Sequence, residues 1–413
     1  MSTIVYLVHS IPKYEKSGTP IAAWRVAKGV KEKYNQNVAF IIPSPDGEEG
    51  KEKVDDILVY KVKRIDWHEN FFHDFDIDRE TYIRKIKNIL KEVNCNILHI
   101  YNLVFSSYQV MKLRKEGIRI VRTITHTEDI CFNVDPFVKV GDKIEICSGP
   151  DPIAKCACHY KQMYGGNNLM EFIIKKISKH FTSVELLYSN FCDIITFTNE
   201  EFAKYFTNYV NIPRDVIRII PHGVENKLEK YILPNMPKNE GFRFLYLGGD
   251  NFRKGFVILD NALNSLNGEL FNKIKEITIV GKTTKEFRER FNNDKYMFKG
   301  VLPEEELYNE ISNADLVILP TFFETYNISL REAIKLGKPV ITTKTFGSNI
   351  VVDGYNGFRF DIGDSLQLKN IIELILSNPQ ILVDMSKNCL NTHITDIEEE
   401  IKLFMKVYNE LKD

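Results

Sequence analysis

The chain has 413 residues, 44% of them hydrophobic and 27% charged, which is enough for about two or three domains with cores of their own. A formal net charge of -1 without any long Lys or Arg block argues against binding nucleic acid by counterion release. The opening "MSTIVYLVHS" lacks the basic-then-apolar pattern of an export signal, no apolar run reaches membrane-spanning length, and the cysteine pattern suits a reducing compartment, so a cytoplasmic location is expected.

In chain order, "TIVYLVH" predicts a first strand. The loop "PKYEKSGTPIAAW" follows, where Gly18 would let the backbone approach a ligand, and leads into a helix. The run "NVAFIIP" predicts a second strand. Residues 61–80, "KVKRIDWHENFFHDFDIDRE", lack periodicity and are expected as an irregular, solvated loop carrying Asp74, Asp76 and Asp78. A helix over "IRKIKNILKEV" and strands over "NILHIY" and "GIRIVRTIT" come next. His126 stands directly after the last of these, where an imidazole can hydrogen-bond a substrate hydroxyl or a phosphate.

Residues 127–168 interrupt the alternation and carry Cys131, Cys147, Cys156, Cys158 and His159. That donor set could hold a structural zinc or an iron–sulfur cluster, although "CAC" is not the usual C-x-x-C; the alternative is a reduced loop on the acceptor side. The segment "LMEFIIKKISKHF" sets Lys175, Lys176, Lys179 and His180 beside an apolar face. It is expected either to pack on the first sheet or to make a peripheral contact with an anionic membrane face.

The stretch from Pro221 to Gly241, rich in Pro, Asn, Lys and Glu, reads as a linker. It separates residues 1–222 from residues 223–390, with a final helix within 391–413 expected to return to the first domain. The second half repeats the alternation in "FRFLYLGG", "VILDNALNSL", "EITIVG", "EEELYNEIS", "ADLVILP", "SLREAIKLG" and "PVITT". Strand–helix alternation in both halves predicts an α/β fold of two Rossmann-like, doubly wound domains facing across a cleft.

Ligands of open α/β sheets sit outside the carboxyl ends of the strands. There "GGDNFRKG" places Arg253 and Lys254, two cations suited to a diphosphate. There too "TFFETYNISLREAIKLG" places Glu324 in a loop and Glu332 about one turn into a helix. The backbone N–H groups around Asn327, Ile328 and Ser329 would be the open donors of that helix start, a phosphate site, while the two carboxylates suit ribose and sugar hydroxyls. No G-x-G-x-x-G or Walker A sequence supports dinucleotide or P-loop chemistry.

Taken together, "ETYNISLREAIKLGKPVI", "GGDNFRKG", "IIPHGVE" and "DGYNGF" resemble the motifs of retaining, family 4 glycosyltransferases of the GT-B fold, in the family's order and spacing. The resemblance implies a nucleotide-diphosphate sugar as donor, a glycan or lipid-linked acceptor, and retention of anomeric configuration. It assigns the ribose hydroxyls to Glu332, the neighbourhood of the donor sugar to Glu324, the diphosphate to Lys254, the catalytic centre to His126 and the first domain's glycine loop to Gly18. Neither a cofactor nor a catalytic metal is implied. The sequence departs from the pattern at Gly249, where an Arg is frequent and for which Arg253 is expected to compensate, at Asn327, where glycine is common, and at His222, where asparagine is frequent. The rival reading is a two-domain nucleotide- or sugar-binding protein without catalysis.

Overall fold

The computed structural model describes residues 2–15, 17–63, 76–101, 107–127, 130–131, 137–140, 143–147, 156, 174, 178, 188, 190–233 and 241–412. Asp74, Cys158, His159 and all of the Leu169–Phe181 segment except Ile174 and Ser178 lie outside them. The chain divides into two compact units, one of Met1–Pro136, Ser148–His222 and Ile397–Asp413, the other of Phe137–Cys147 and Gly223–Asp396. The boundary after His222 falls at the start of the Pro-rich stretch, while Phe137–Cys147 and residues 391–396 group with the second unit.

In the first unit the described elements run β1 (Thr3–Leu7), α1 (Gly18–Tyr34), β2 (Asn37–Pro43), β3 (Gly50–Val54), β4 (Ile57–Val62), α2 (Asp76–Glu92), β5 (Cys95–Ile100), α3 (Ser107–Arg114) and β6 (Arg119–Ile124). A separate antiparallel pair, β7 (Phe137–Val140) and β8 (Lys143–Ile146), precedes β9 (Ile194–Phe197), α4 (Glu200–Thr207) and β10 (Ile217–Ile219). The eight strands of the main sheet lie in the order β10-β9-β6-β5-β1-β2-β4-β3, parallel except for the β3–β4 hairpin. Its central strands β1 and β6 are buried along nearly their whole length, as expected when both faces are covered. Residues 76–80, expected as loop, are helical from Asp76 onward, so Asp76 and Asp78 open α2.

The second unit contains β11 (Phe242–Leu247), α5 (Phe256–Asn264), α6 (Gly268–Asn272), β12 (Ile274–Val280), α7 (Lys285–Arg290), β13 (Tyr296–Gly300), α8 (Glu304–Asn313) and β14 (Leu316–Leu319). It continues with α9 (Ile328–Lys335), β15 (Val340–Thr343), β16 (Gly357–Phe360), α10 (Ser365–Ser377) and α11 (Gln380–Leu390). Its six strands are all parallel, in the order β13-β12-β11-β14-β15-β16. This order turns back between β11 and β14, which sets the ends of those two strands beside a topological switch point. Among the described residues, no helix is long and apolar enough to cross a membrane.

The last helix, α12 (Ile397–Glu410), belongs to the first unit and buries Ile401, Phe404, Met405, Val407 and Tyr408 in its core. Polar groups fix it there. Tyr408 Oη lies 3.0 Å from Tyr6 Oη and 2.7 Å from His99 Nδ1, while His99 Nε2 lies 2.6 Å from Thr123 Oγ1, which is itself 2.7 Å from Thr196 Oγ1. His222 Nδ1 meets Glu400 Oε1 at 2.8 Å, so the histidine found in place of a frequent asparagine anchors this helix.

Burial, with Arg122 nearby, holds the His99 pKa well below its ordinary value, so the folded protein keeps this imidazole neutral. An unfolded chain takes up the proton near pH 6.5; stability from this group is therefore full above that pH and falls below it. Denaturant unfolding at pH 7.5 and 5.5 is expected to show wild type losing about 1.4 kcal/mol more than His99→Leu on acidification. Equal losses in the two proteins would refute it.

Candidate active site

Three loops of the second unit, each leaving the carboxyl end of a strand, are joined to one another. After β11 the chain makes a short 3-10 turn, Phe252–Lys254, capped by the Asn251 side chain, and enters α5 through Gly255. After β14 come Thr321 to Tyr326, and after β15 a 3-10 turn over Phe346–Ser348. Phe322 N–H donates to the Arg253 carbonyl at 2.8 Å, and Gly347 N–H to the Glu324 carbonyl at 3.0 Å. Because main chain holds main chain, the side chains on these loops keep a fixed spacing.

Within that frame Lys254 Nζ donates to Glu324 Oε2 at 2.8 Å, with both side chains partly open to solvent. The residue singled out for a diphosphate and the residue singled out for a sugar thus neutralise each other across two loops. Half-exposed pairs of this kind contribute about 0–1 kcal/mol to stability, so the contact places the groups more than it holds the fold. Arg253 lies on the same short turn and joins the neighbouring loop through its carbonyl.

Helix α9 starts at Ile328 with Asn327 as its cap. Asn327 has φ 61 and ψ 76, the left-handed conformation that glycine would also take, so the departure from glycine preserves the bend. Its side chain accepts from Leu330 N–H at 3.2 Å, which consumes one donor of the helix start. Among the described residues, the N–H groups of Ile328 and Ser329 have no protein acceptor, and they stand at the positive end of the helix. Glu332 sits one turn in and is buried. The helix stops in a Schellman motif, with Lys338 N–H on the Ala333 carbonyl and Gly337 N–H on that of Ile334.

One residue of this constellation escaped the sequence reading. Arg331 is buried, and Nη1 donates to the carbonyls of Tyr326 and, at 2.9 Å, Gly347; Nη2 donates to Asn349 Oδ1 at 3.2 Å. Its guanidinium lies 3.6 Å from the Tyr326 ring centroid. No signal in the sequence sets Arg331 apart from a solvated helix charge; the structure shows that α9 buries it with Glu332 beside Leu330, Ala333 and Ile334.

Gly18 and His126 belong to the first unit. Gly18 is the first residue of α1, and a Cβ built on it meets no atom within 4 Å. Among the described residues, none fills the space a side chain there would take. Thr19 Oγ1 lies 3.2 Å from Thr125 Oγ1, so the start of α1 and the end of β6 are held together with His126 beside them. His126 is half-buried, its Nδ1 3.4 Å from Thr127 Oγ1. Of the proposed metal ligands, Cys131 and Cys156 are half-buried and Cys147 is buried. Among the described residues no three His, Cys, Asp or Glu side chains converge on a common point, and Cys158 lies outside them.

This arrangement of sheet-end loops has counterparts. A model of Glycosyltransferase Family 4 matches residues 18–227, and one of Glycosyl transferases group 1 matches residues 232–391. The chain is a group 1 glycosyltransferase of the GT-B fold. This glycosyltransferase superposes on sucrose-phosphate synthase from Thermosynechococcus elongatus with a TM-score of 0.73 at 16% identity, covering 100% of this chain and 99% of the other. HepE from Anabaena in complex with UDP-glucose gives a TM-score of 0.66 at 14% identity over 99% and 100% of the two chains. WaaG, a glycosyltransferase involved in lipopolysaccharide biosynthesis, gives 0.67 at 16% over 98% and 99%. No curated protein matches the chain by sequence.

Proposed function

We propose that the protein transfers a sugar from a nucleotide-diphosphate sugar to a hydroxyl of a glycan or lipid-linked acceptor, with retention of anomeric configuration. The observation that carries this reading is the junction of the Lys254–Glu324 pair with the open helix start at Ile328 and Ser329, on loops fixed to each other by main-chain hydrogen bonds. A diphosphate needs cations and N–H donors, and a sugar needs carboxylates; both sets stand on one sheet edge. That HepE has been crystallised with UDP and with UDP-glucose supports a uridine donor as the first to test.

In this reading the bond between the anomeric carbon and the diphosphate oxygen breaks as charge collects on the leaving group. Lys254 is the cation that answers that charge, with Arg253 on the same turn and the α9 start beside it. The acceptor oxygen bonds to the anomeric carbon on the face the diphosphate leaves, and its proton passes to the departing diphosphate. Glu332 receives the ribose hydroxyls, Glu324 lies by the donor sugar, and the reading gives Gly18 a donor-binding role and His126 a catalytic one. Lysine, arginine and helix amides supply the charge a metal would otherwise provide, so the reading assigns neither metal nor cofactor.

Calorimetric titration with UDP-, GDP- and ADP-sugars tests it. One nucleotide class is expected to bind, about tenfold more weakly in Glu332→Gln, because a carboxylate accepts hydroxyl hydrogen bonds more strongly than an amide. Binding of none, or equal binding by both proteins, would overturn the donor assignment.

A further inference from the structure

Arg331 has no place in the chemistry above, yet it occupies an expensive position. A guanidinium taken out of water is tolerated only when its donors are satisfied, and an apolar residue of similar size would usually pack there at lower cost. Here the acceptors are the backbone carbonyls of Tyr326, Gly347 and, at 3.4 Å, Asn327, with a side-chain amide, and no carboxylate is among them. Burial presses its pKa below the usual guanidinium value, opposed by Tyr326 and Glu324.

The groups it holds are the informative part. Tyr326 directly precedes Asn327, and Gly347 is the residue whose N–H binds the Glu324 carbonyl. Gly347 also lies so close to Tyr326 that a Cβ on it would fall 2.7 Å from the Tyr326 carbonyl carbon. One guanidinium therefore grips the β14 and β15 loops where they touch. In a trans peptide the C=O and the following N–H point in opposite directions. Turning the Tyr326 carbonyl toward Arg331 thus turns the Asn327 N–H away from it, and sets the left-handed step that starts α9 with Ile328 and Ser329 as open donors.

We propose that Arg331 is a positioning residue for the donor diphosphate: it orients the Tyr326–Asn327 peptide and so presents the amides at the start of α9. The proposal rests on the donor reading given above. Lysine keeps the charge but cannot span these acceptors with a planar fork, so the two substitutions Arg331→Lys and Arg331→Met separate charge from geometry.

The experiment compares wild type, Arg331→Lys and Arg331→Met by thermal unfolding, by titration with UDP and the preferred nucleotide sugar, and by steady-state kinetics in both substrates. In Arg331→Lys, donor KM and the UDP dissociation constant are expected to rise about tenfold, with acceptor KM unchanged, and both donor values to rise further in Arg331→Met. Lowered melting temperatures with wild-type donor KM and UDP affinity in both variants would reduce Arg331 to a fold residue and end the proposal. So would a uniform loss of kcat without any change in donor KM. Should Arg331→Met fail to fold, Arg331→Lys alone decides. Wild type binding no nucleotide would instead remove the donor reading itself, a result distinct from wild type binding UDP and Arg331→Lys binding it equally well.

Discussion

Replacing Lys254 by alanine is expected to lower kcat by about 10²–10³-fold without unfolding the protein. The side chain is partly exposed and its pairing with Glu324 adds little stability, so the melting temperature is expected to move by only a few degrees. The loss falls on catalysis because the ammonium answers charge that grows as the diphosphate departs. Its removal also leaves the Glu324 carboxylate without the counter-ion that lies 2.8 Å away, adding repulsion toward an anionic donor. A cycle with Glu324→Gln separates these effects. If Lys254 acts on the leaving group, Lys254→Ala stays slow in the Glu324→Gln background; if it only neutralises Glu324, the double variant recovers most of the activity. A single variant retaining kcat to within about threefold of wild type would remove Lys254 from the mechanism.

The fold was legible because its strands and helices carry different periods. Apolar runs such as "NILHI" and "LVIL" are bounded by turns, the helices between them are amphipathic, and the order of the two implies parallel sheets. The site loops were legible for a related reason: strand ends are where such sheets bind ligands, and Pro320, Gly337 and Pro339 mark the limits of β14 and α9 in the sequence itself. Two of the motifs that carry the family resemblance, "GGDNFRKG" and "ETYNISLREAIKLGKPVI", lie on those same loops.

Local pattern failed where polar residues build regular structure. Strand β3, "GKEKV", is mostly exposed and reads as loop; it pairs with β4 through a two-residue turn in which Asp55 and Asp56 both have positive φ. Aspartate tolerates that conformation less readily than the Asn-Gly pair that usually announces such a hairpin. The start of α2 was hidden by acidic residues that look solvated in any conformation.

Pairings distant in sequence were the larger omission. Lys254 and Glu324 stand 70 positions apart and His222 and Glu400 stand 178 apart; Lys254, Glu324 and His222 drew notice one by one, but no pairing did. Arg331 was missed for the opposite reason. Its neighbours are close in sequence, but they are carbonyls, and no side-chain pattern announces a backbone acceptor. At Asn327 the sequence raised a doubt that only a backbone angle could answer: asparagine there takes the bend expected of glycine and adds a cap.

Substituting Gly255 by valine is expected to be the most damaging single change in the second unit, and the reason is steric. Gly255 has φ 72, a conformation costing an L-residue about 1–2 kcal/mol. A Cβ built on it falls 1.9 Å from the Pro320 carbonyl oxygen, a backbone atom that cannot rotate aside. Relieving that overlap means moving the β11 loop from the β14 loop, which strains the Phe322–Arg253 hydrogen bond and draws Lys254 away from Glu324. Strain and displacement together are expected to cost about 3–5 kcal/mol. Asn327→Gly is the control. It keeps a left-handed position and removes only the cap on Leu330, which a glycine replacement makes worth only about a few tenths of a kcal/mol. Calorimetric unfolding, analysed by unit because two domains need not melt together, should show a lowered transition in Gly255→Val and a small shift in Asn327→Gly. Nucleotide affinity is expected to fall sharply in the valine variant even well below its melting point. Near-native stability with intact binding in Gly255→Val would mean that the two loops can separate without cost, and that the spacing of Lys254 and Glu324 is not what the donor site depends on.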